Sequence, residues 1–286
     1  MKLKAYAKIN LTLDAVGVRK DGYHLLRMIM QSVSLYDEVV LHANRGGIVL
    51  QTNDATLPTD EKNIAYAAAA RFFAAAGIAP AVDLYIEKRI PAAAGLGGGS
   101  ADAAAVLLGL NRLHGFVLDA DALAALALTL GADVPFFLRG GTALAEGIGE
   151  RLTPLAPMPS CALVLIKPCD KPSTGAMYAA LDALAQPLHP DTDGAIAALR
   201  AGEMQTLCRT LGNAFAPIWA GTATDGAQAD LMRQGALGTG LSGSGPTVFG
   251  VFADVCAAQR AADALSDSYS QIFVAQPTPC GVEMVD

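Results

Sequence analysis

The chain has 286 residues, 52% of them hydrophobic and only 16% charged, and 20 Lys+Arg against 27 Asp+Glu leave a formal net charge of −7. Such a composition excludes intrinsic disorder, which needs low hydrophobicity and high net charge. The acidic balance also excludes a nucleic-acid scaffold, which needs a basic face, but it leaves room for an anionic small substrate if positive groups gather in one cleft.

Residues 2–14 alternate side chains and are rich in β formers, so they predict a strand leading into a turn at 19–22. Further strands are predicted at 33–41, 48–52 and 82–87, with a helix at 63–76 closed by Gly77. A glycine-rich stretch at 95–99 precedes a helix at 100–113 with Ser100 as its N-cap. Another helix is expected at 121–130, and Gly140-Gly141 opens a strand at 142–146. Pro154, Pro157 and Pro159 break any regular element and mark the expected junction between an N-terminal lobe, 1–155, and a C-terminal lobe, 156–286. Beyond it come strands at 162–166, 248–252, 272–275 and 282–285, and helices at 174–184, 193–199, 225–234 and 254–265. Strands and helices mix in both halves without regular βαβα alternation, so the expected class is α+β in two lobes.

Mean hydropathy is positive, at +0.36, which raises the question of a membrane. The longest uncharged run, 234–253, carries six glycines and Pro246 and cannot build a spanning helix. The first fourteen residues read as a strand rather than a secretory leader, so the expected compartment is the cytoplasm. Five scattered cysteines without a C-x-x-C pair fit reduced thiols, and the four histidines form no metal-ligating cluster.

Four features carry chemistry. In residues 91–104, PAAAGLGGGSADAA, a strand is followed by Gly95, Gly97, Gly98 and Gly99 and then by a helix. Glycines let backbone N–H groups approach a ligand, and the helix start aims unpaired N–H groups and the positive end of its dipole at the same spot, which suits phosphate. A flexible loop, or close packing of helix on sheet, is the alternative. The stretch is not a Walker A loop, because no lysine follows a glycine, and the protein-kinase and nucleophile-elbow signatures are missing. A second glycine cluster, 238–247, formally contains G-x-G-x-x-G, yet a strand rather than a helix follows it. It reads better as a loop joining two strands near a ligand, or as a plain turn. Asp133, in GADVPFF, reads as the end of a helix, where a carboxylate is electrostatically disfavoured; a turn aspartate is the alternative. Lys8, in a strand among apolar neighbours, could be an edge residue facing water. Together with a phosphate cradle, however, a lysine and an aspartate are the minimum set for phosphoryl transfer to a hydroxyl.

In this order, AKINLTL near the start, DGYH at 21–24, PAAAGLGGGSADAA, GADVPFF, EGIGE at 146–150 and SGSGPTVF at 242–249 resemble the GHMP kinases. Within them the likeness is greatest to the branch whose acceptor is a cytidine-diphosphate-linked methylerythritol. The resemblance implies a two-lobed fold with the active site in the cleft between the lobes. It implies transfer of the γ-phosphate of ATP to the acceptor's 2-hydroxyl, in the non-mevalonate route to isoprenoid precursors. Residue by residue, Lys8 and Asp133 match the catalytic pair, Asp133 accepting the hydroxyl proton and Lys8 orienting it and stabilising developing charge. Asn10 matches a polar contact to the methylerythritol. Tyr23 and His24 match the cytosine site, with Tyr178 as its second aromatic. Pro91, Ala92, Ala93, Ala94, Gly95, Leu96, Gly97, Gly98, Gly99, Ser100 and Ala101 match the ATP loop, with Lys88 helping to neutralise ATP. Gly243 and Ser244 close the cleft from the second lobe. Two departures stand out: Ala92, Ala93 and Ala94 replace glycine, and Ala101 replaces a serine hydroxyl. Mg²⁺ is expected as the ATP counter-ion, resting on Ser100 or on the phosphates themselves. The implied partners are small molecules, without nucleic acid or membrane, and the expected state is a monomer or weak homodimer. A different GHMP kinase acting on a small alcohol, or a non-catalytic nucleotide-binding regulator, are the alternatives.

Overall fold

The computed structural model describes residues 1–285; residue 286, the last of the expected C-terminal lobe, lies outside the described residues. In chain order the elements are β1 (Lys2–Val18), β2 (His24–Ala43), β3 (Gly47–Thr52), α1 (Ile64–Ala76), β4 (Ala81–Glu87), α2 (Gly98–Leu113), α3 (Ala120–Leu130), α4 (Val134–Arg139), β5 (Thr142–Gly147) and β6 (Arg151–Pro154). There follow β7 (Ala162–Ile166), α5 (Thr174–Asp182), α6 (Thr192–Ala201), α7 (Met204–Thr210), β8 (Gly212–Asn213), a 3-10 turn at Ala216–Trp219, α8 (Ala223–Arg233), β9 (Gly238–Leu241), β10 (Val248–Phe252), α9 (Val255–Leu265), β11 (Ile272–Ala275) and β12 (Val282–Val285).

The alternation that predicts the first strand runs on into a long antiparallel hairpin, β1 with β2. This hairpin is the spine of an eight-stranded sheet. β4 and β3 extend it beside the far end of β2, β5 and β6 extend it beside the near end, and β12 and β8 lie along β1. The second sheet has the order β11-β7-β10-β9 and is antiparallel throughout.

One face of β1 serves both halves of the molecule. Ala7, Ile9 and Leu11 are fully buried against Leu163, Leu165, Phe249 and Val251 of the second sheet. Because side chains alternate along a strand, Lys8, Asn10 and Thr12 point the other way, and all three are buried. The helix α2 lies flat on β1 and β2 because its contacting residues are small: Ala101, Ala103, Ala104 and Ala105 are fully buried, and a Cβ at Gly109 would press on Leu41 and Leu3 at 3.1–3.2 Å. This close seat fixes where the N-terminus of α2 points.

Two expectations need correction. The helix after the glycines starts at Gly98, with Gly97 (φ +74°) as its cap, so Ser100 lies inside the first turn rather than capping it. Asp133 does not end a helix; α3 stops at Gly131, and Asp133 occupies the cap position of α4, where Pro135 is tolerated because the first-turn N–H groups have no partner within a helix. A carboxylate is electrostatically favoured there, so the objection to it disappears. The chain also passes between the sheets four times. It leaves the first sheet after β6, through the prolines, rejoins it briefly where β8 pairs with β1, and returns at its end, where β12 pairs with β1. Short elements with little periodicity of their own, α4, β6, α7, β8 and β9, were not predicted. Among the described residues, no helix is long and apolar enough to cross a membrane, and all five cysteines are free thiols.

Candidate active site

A cleft of about 930 Å³ opens between the sheets, lined by both glycine loops, the start of α2, the turn of the first hairpin and the start of α5. On its floor is Lys8, 5% exposed at its side chain, whose Nζ donates to Asn10 Oδ1 at 2.7 Å and lies 3.9 Å from Asp133 Oδ2. Burial pushes the Lys8 ammonium below its usual range, and the Asp133 carboxylate opposes that shift. Asp133 is a third exposed and faces the cavity. The pair therefore combines a dry, oriented cation with a carboxylate open to a ligand.

The first glycine loop forms one wall. Pro91, Ala92, Ala93, Ala94, Gly95, Gly97, Gly98, Gly99 and Ser100 all line the cavity, whereas Leu96 is buried and Ala101 faces the core. No side chain caps α2, so its first-turn N–H groups remain open to a ligand on the cavity side. Two glycines are required here by close approach. A Cβ at Gly97 would sit 2.6 Å from Phe137 Cζ, and one at Gly95 would sit 2.2 Å from the Ser242 carbonyl oxygen. The second contact shows the two glycine loops packed on each other: Ser242 Oγ donates to the Gly95 carbonyl at 2.9 Å, and the Thr247 N–H donates to that of Ala94 at 3.3 Å. Ala93 takes φ +51°, a left-handed backbone that glycine adopts freely and alanine does not. Alanine at this position therefore carries a small strain.

At the other end, Asp21 and Gly22 turn the chain so that Tyr23 is 61% exposed at the cavity rim. The His24 ring lies 4.5 Å from the Tyr178 ring, tilted by 32°, and its Nε2 is 2.7 Å from Asp182 Oδ1. Tyr178 in turn meets Phe215 edge to face, at 5.1 Å. Burial, with Asp133 adding to it, pushes the Tyr178 phenol up to about 12, so it remains a neutral donor across the usual pH range.

Two expected contacts are redirected. Lys88, expected to help neutralise ATP, does not line the cavity. Its Nζ is held between Asp37 and Asp102, 2.7 Å from Asp102 Oδ2, beneath the start of α2. Burial disfavours the ammonium there, but the two carboxylates outweigh it and hold it charged. Asn10, expected to touch the acceptor, is 1% exposed. Its Oδ1 takes hydrogen bonds from Lys8 Nζ and from the Gly243 N–H at 2.8 Å, and its Nδ2 lies on Met28 Sδ. It ties the lysine to the second glycine loop instead of reaching the cleft.

Sequence reasoning missed several cavity residues, among them Lys171, Thr174, Asp182 and Phe215. Of these only Lys171 has a hint, as a lone cation between Pro168 and Pro172, and nothing in its neighbours tells where such a loop will fold.

Residues 63–141 match the N-terminal domain of the GHMP kinases and residues 195–271 their C-terminal domain. A protein of Clostridium botulinum (strain Eklund 17B / Type B) named 4-diphosphocytidyl-2-C-methyl-D-erythritol kinase is 42% identical over 276 residues, covering 96% of this chain and 99% of its own. One of the same name from Caldicellulosiruptor saccharolyticus is 44% identical, covering 96% of each. A crystal structure of 4-(cytidine 5'-diphospho)-2C-methyl-D-erythritol kinase superposes with a TM-score of 0.80 at 36% identity, covering 97% of this chain and 99% of that one. A crystal structure of L. major mevalonate kinase in complex with R-mevalonate, at 16% identity and a TM-score of 0.72, shares the fold, covering 98% of this chain and 96% of that one.

Proposed function

The chain belongs to the GHMP kinases, on the branch of the 4-diphosphocytidyl-2-C-methyl-D-erythritol kinases, and on that premise we propose that its cleft phosphorylates the 2-hydroxyl of 4-(cytidine 5'-diphospho)-2-C-methyl-D-erythritol. ATP is the co-substrate, and the 2-phosphate and ADP are the products. The reaction belongs to the non-mevalonate synthesis of isoprenoid precursors, in the cytoplasm.

ATP lays its phosphates along residues 91–100, where the start of α2 supplies backbone donors and a positive dipole end. The cytosine is held by Tyr23, His24 and Tyr178, with Asp182 fixing the His24 ring through its contact to Nε2. The acceptor hydroxyl then meets Asp133. Its proton passes to that carboxylate as its oxygen bonds to the γ-phosphorus, the bond from the γ-phosphorus to the bridging oxygen breaks, and that oxygen leaves with the electron pair as ADP. Lys8 steadies Asp133 and lowers the energy of charge growing on the reacting oxygens, an effect enlarged by its burial. Asn10 acts through Lys8 as a positioning residue.

Among the described residues no three His, Cys, Asp or Glu side chains converge as a metal site. The Ser100 hydroxyl and the Asp133 carboxylate are the oxygen donors near the loop, a set that fits Mg²⁺ carried on the triphosphate and keeping its waters. Bound there, the ion neutralises phosphate charge.

The observation that carries this reading is the 3.9 Å Lys8–Asp133 pair between a phosphate loop and a cluster of aromatic rings in one cleft. ADP release from purified protein, with Mg²⁺ and ATP against a panel of alcohols, tests it. Turnover with the cytidyl acceptor is expected at a kcat/KM well above that for mevalonate, homoserine or galactose. Turnover of another alcohol alone, or ATP binding without any turnover, would defeat it.

A further inference from the structure

Apart from Lys8, the cleft is lined by one other lysine and by no arginine among the described residues. That lysine is Lys171, on the proline-bounded segment that enters α5. Its Nζ donates to Ser244 Oγ at 2.7 Å, and among the described residues it has no carboxylate partner. Lys8 is committed to Asn10 and Asp133, and Lys88 to Asp37 and Asp102. Lys171 is thus the one ammonium in the cleft whose charge is not already matched, in a site where two polyanionic substrates must meet.

Its anchor says which part of the reaction it faces. Ser244 follows Gly243, whose N–H donates to Asn10 Oδ1, the same oxygen that accepts from Lys8 Nζ. A Cβ at Gly243 would lie 3.4 Å from Lys8 Nζ. The loop carrying Ser244 is itself held in place: Asn213 Nδ2 donates to the carbonyls of Leu241 and Gly243 at 2.8 Å, and Trp219 Nε1 donates to that of Ser244 at 3.2 Å. Lys171 is therefore fixed beside the transfer pair, through the second glycine loop, by its bond to Ser244.

We infer that Lys171 is a second phosphate-contacting cation of the transfer step, meeting the moving phosphoryl group from the second lobe while Lys8 meets it from the first. The inference rests on the kinase reading above. Spreading charge over the three equatorial oxygens of the phosphoryl group is the main demand of such a transfer, and a preorganised cation in a partly dry cleft answers it. Burial, with the Lys8 charge adding to it, pulls the Lys171 ammonium down to about 8. The other titratable groups facing this space are Lys8, Asp133, Tyr178, Asp182, His24, Tyr23 and Asp21.

The test is steady-state ADP release by the full chain and by Lys171→Met and Lys171→Arg, with KM for each substrate, thermal melts and a pH profile. Removal of one such donor typically costs about 10²–10³ in rate. Lys171→Met is expected to lose about a hundredfold in kcat with both KM values within about threefold, and Lys171→Arg to retain a tenth or more. Wild-type kcat/KM is expected to fall as pH rises through about 8, where the ammonium loses its proton, and that limb is expected to vanish in Lys171→Arg because guanidinium does not titrate there. An unchanged kcat in Lys171→Met, or a loss confined to KM for the cytidyl acceptor, overturns the inference. Should Lys171→Met fail to melt cooperatively, an alkaline limb unaltered in Lys171→Arg overturns it instead. If the wild type turned over a different alcohol, the acceptor reading would fall while the same comparison, run on that alcohol, would still judge Lys171.

Discussion

Replacing Lys88 with methionine separates a structural lysine from an ATP ligand. The ammonium joins Asp37 on β2 and Asp102 just past the first turn of α2; the side chains are 9%, 0% and 5% exposed. Asp37 Oδ1 also accepts from the Arg89 and Ile90 N–H groups at 2.6 and 2.8 Å, and Asp102 Oδ1 has no partner. Methionine keeps the length and volume but leaves two buried carboxylates without a cation. Breaking a buried pair this way costs about 3–5 kcal/mol, or a fall in Tm of roughly 6–20 °C for a chain of this size. The pH dependence has a definite sign. Burial, against the pull of Lys88 and aided by Asp37, pushes the Asp102 carboxyl up to about 7 from 3.8. A carboxyl raised in the folded state contributes stability that is complete below its unfolded pKa and is lost as pH rises through its folded one, here between about 4 and 7. Without Lys88 that folded value rises further, so the variant's deficit is expected to be largest near pH 8 and to shrink by pH 5.5. Adding Asp102→Asn should recover part of it by removing one charge. Thermal and denaturant unfolding at the two pH values, with KM for ATP measured in parallel, decide the matter. Stability within about 1 kcal/mol of wild type, together with a large rise in KM for ATP, would show that the lysine serves the nucleotide and that the buried triad is not its role.

Asp133→Asn keeps the shape and removes the base, so kcat is expected to fall by about 10²–10⁴ while KM for ATP moves less than about threefold; near-normal single-turnover rates would rule the base out. Tyr178→Ala removes a ring that stacks on His24 and is expected to weaken binding of the cytidyl acceptor by about 1–3 kcal/mol, the range for stacked bases; calorimetry showing unchanged affinity would count against the aromatic site. Ala93 holds φ +51°, so Ala93→Gly relieves about 1 kcal/mol of backbone strain and returns about 0.4–1 kcal/mol of unfolded-state freedom. The net change in unfolding free energy should lie within about 1 kcal/mol of zero, whereas Ala93→Val should destabilise measurably. A glycine variant more than about 2 kcal/mol less stable would mean that the methyl group packs in a way the dihedral does not express.

Much of the fold was legible along the chain because it depends on neighbours. The alternation of residues 2–14, the Gly77 stop and the run of fully apolar residues at 162–166 are local patterns, and the structure has β1, the left-handed Gly77 cap and β7 at those places. The glycine loop was legible for the same reason, as was the α+β class. Errors gathered where local signals were short or ambiguous. Asp133 reads as a helix end only if α4 is overlooked, and six residues are too few to show a helical period. The return of β12 to the first sheet joins residues 2–5 to 282–285, a pairing invisible to any reading of one segment.

The sequence by itself determined most of the longer elements and the glycine loop that leads into a helix, because these follow from backbone dihedrals and side-chain periodicity, while Lys8 and Asp133 stood out through the motifs that resemble the GHMP kinases. Only the tertiary structure decided what each charge does. Lys8 and Lys88 look alike in the sequence, yet one faces the cleft beside Asp133, 125 positions away, while the other is withdrawn by Asp37, 51 positions away. Lys171 becomes part of the site only because its loop meets Ser244, 73 positions on. An ion pair or a charge-assisted hydrogen bond acts over a few ångströms and is indifferent to separation along the chain, so its partners are chosen by how the two sheets close on each other.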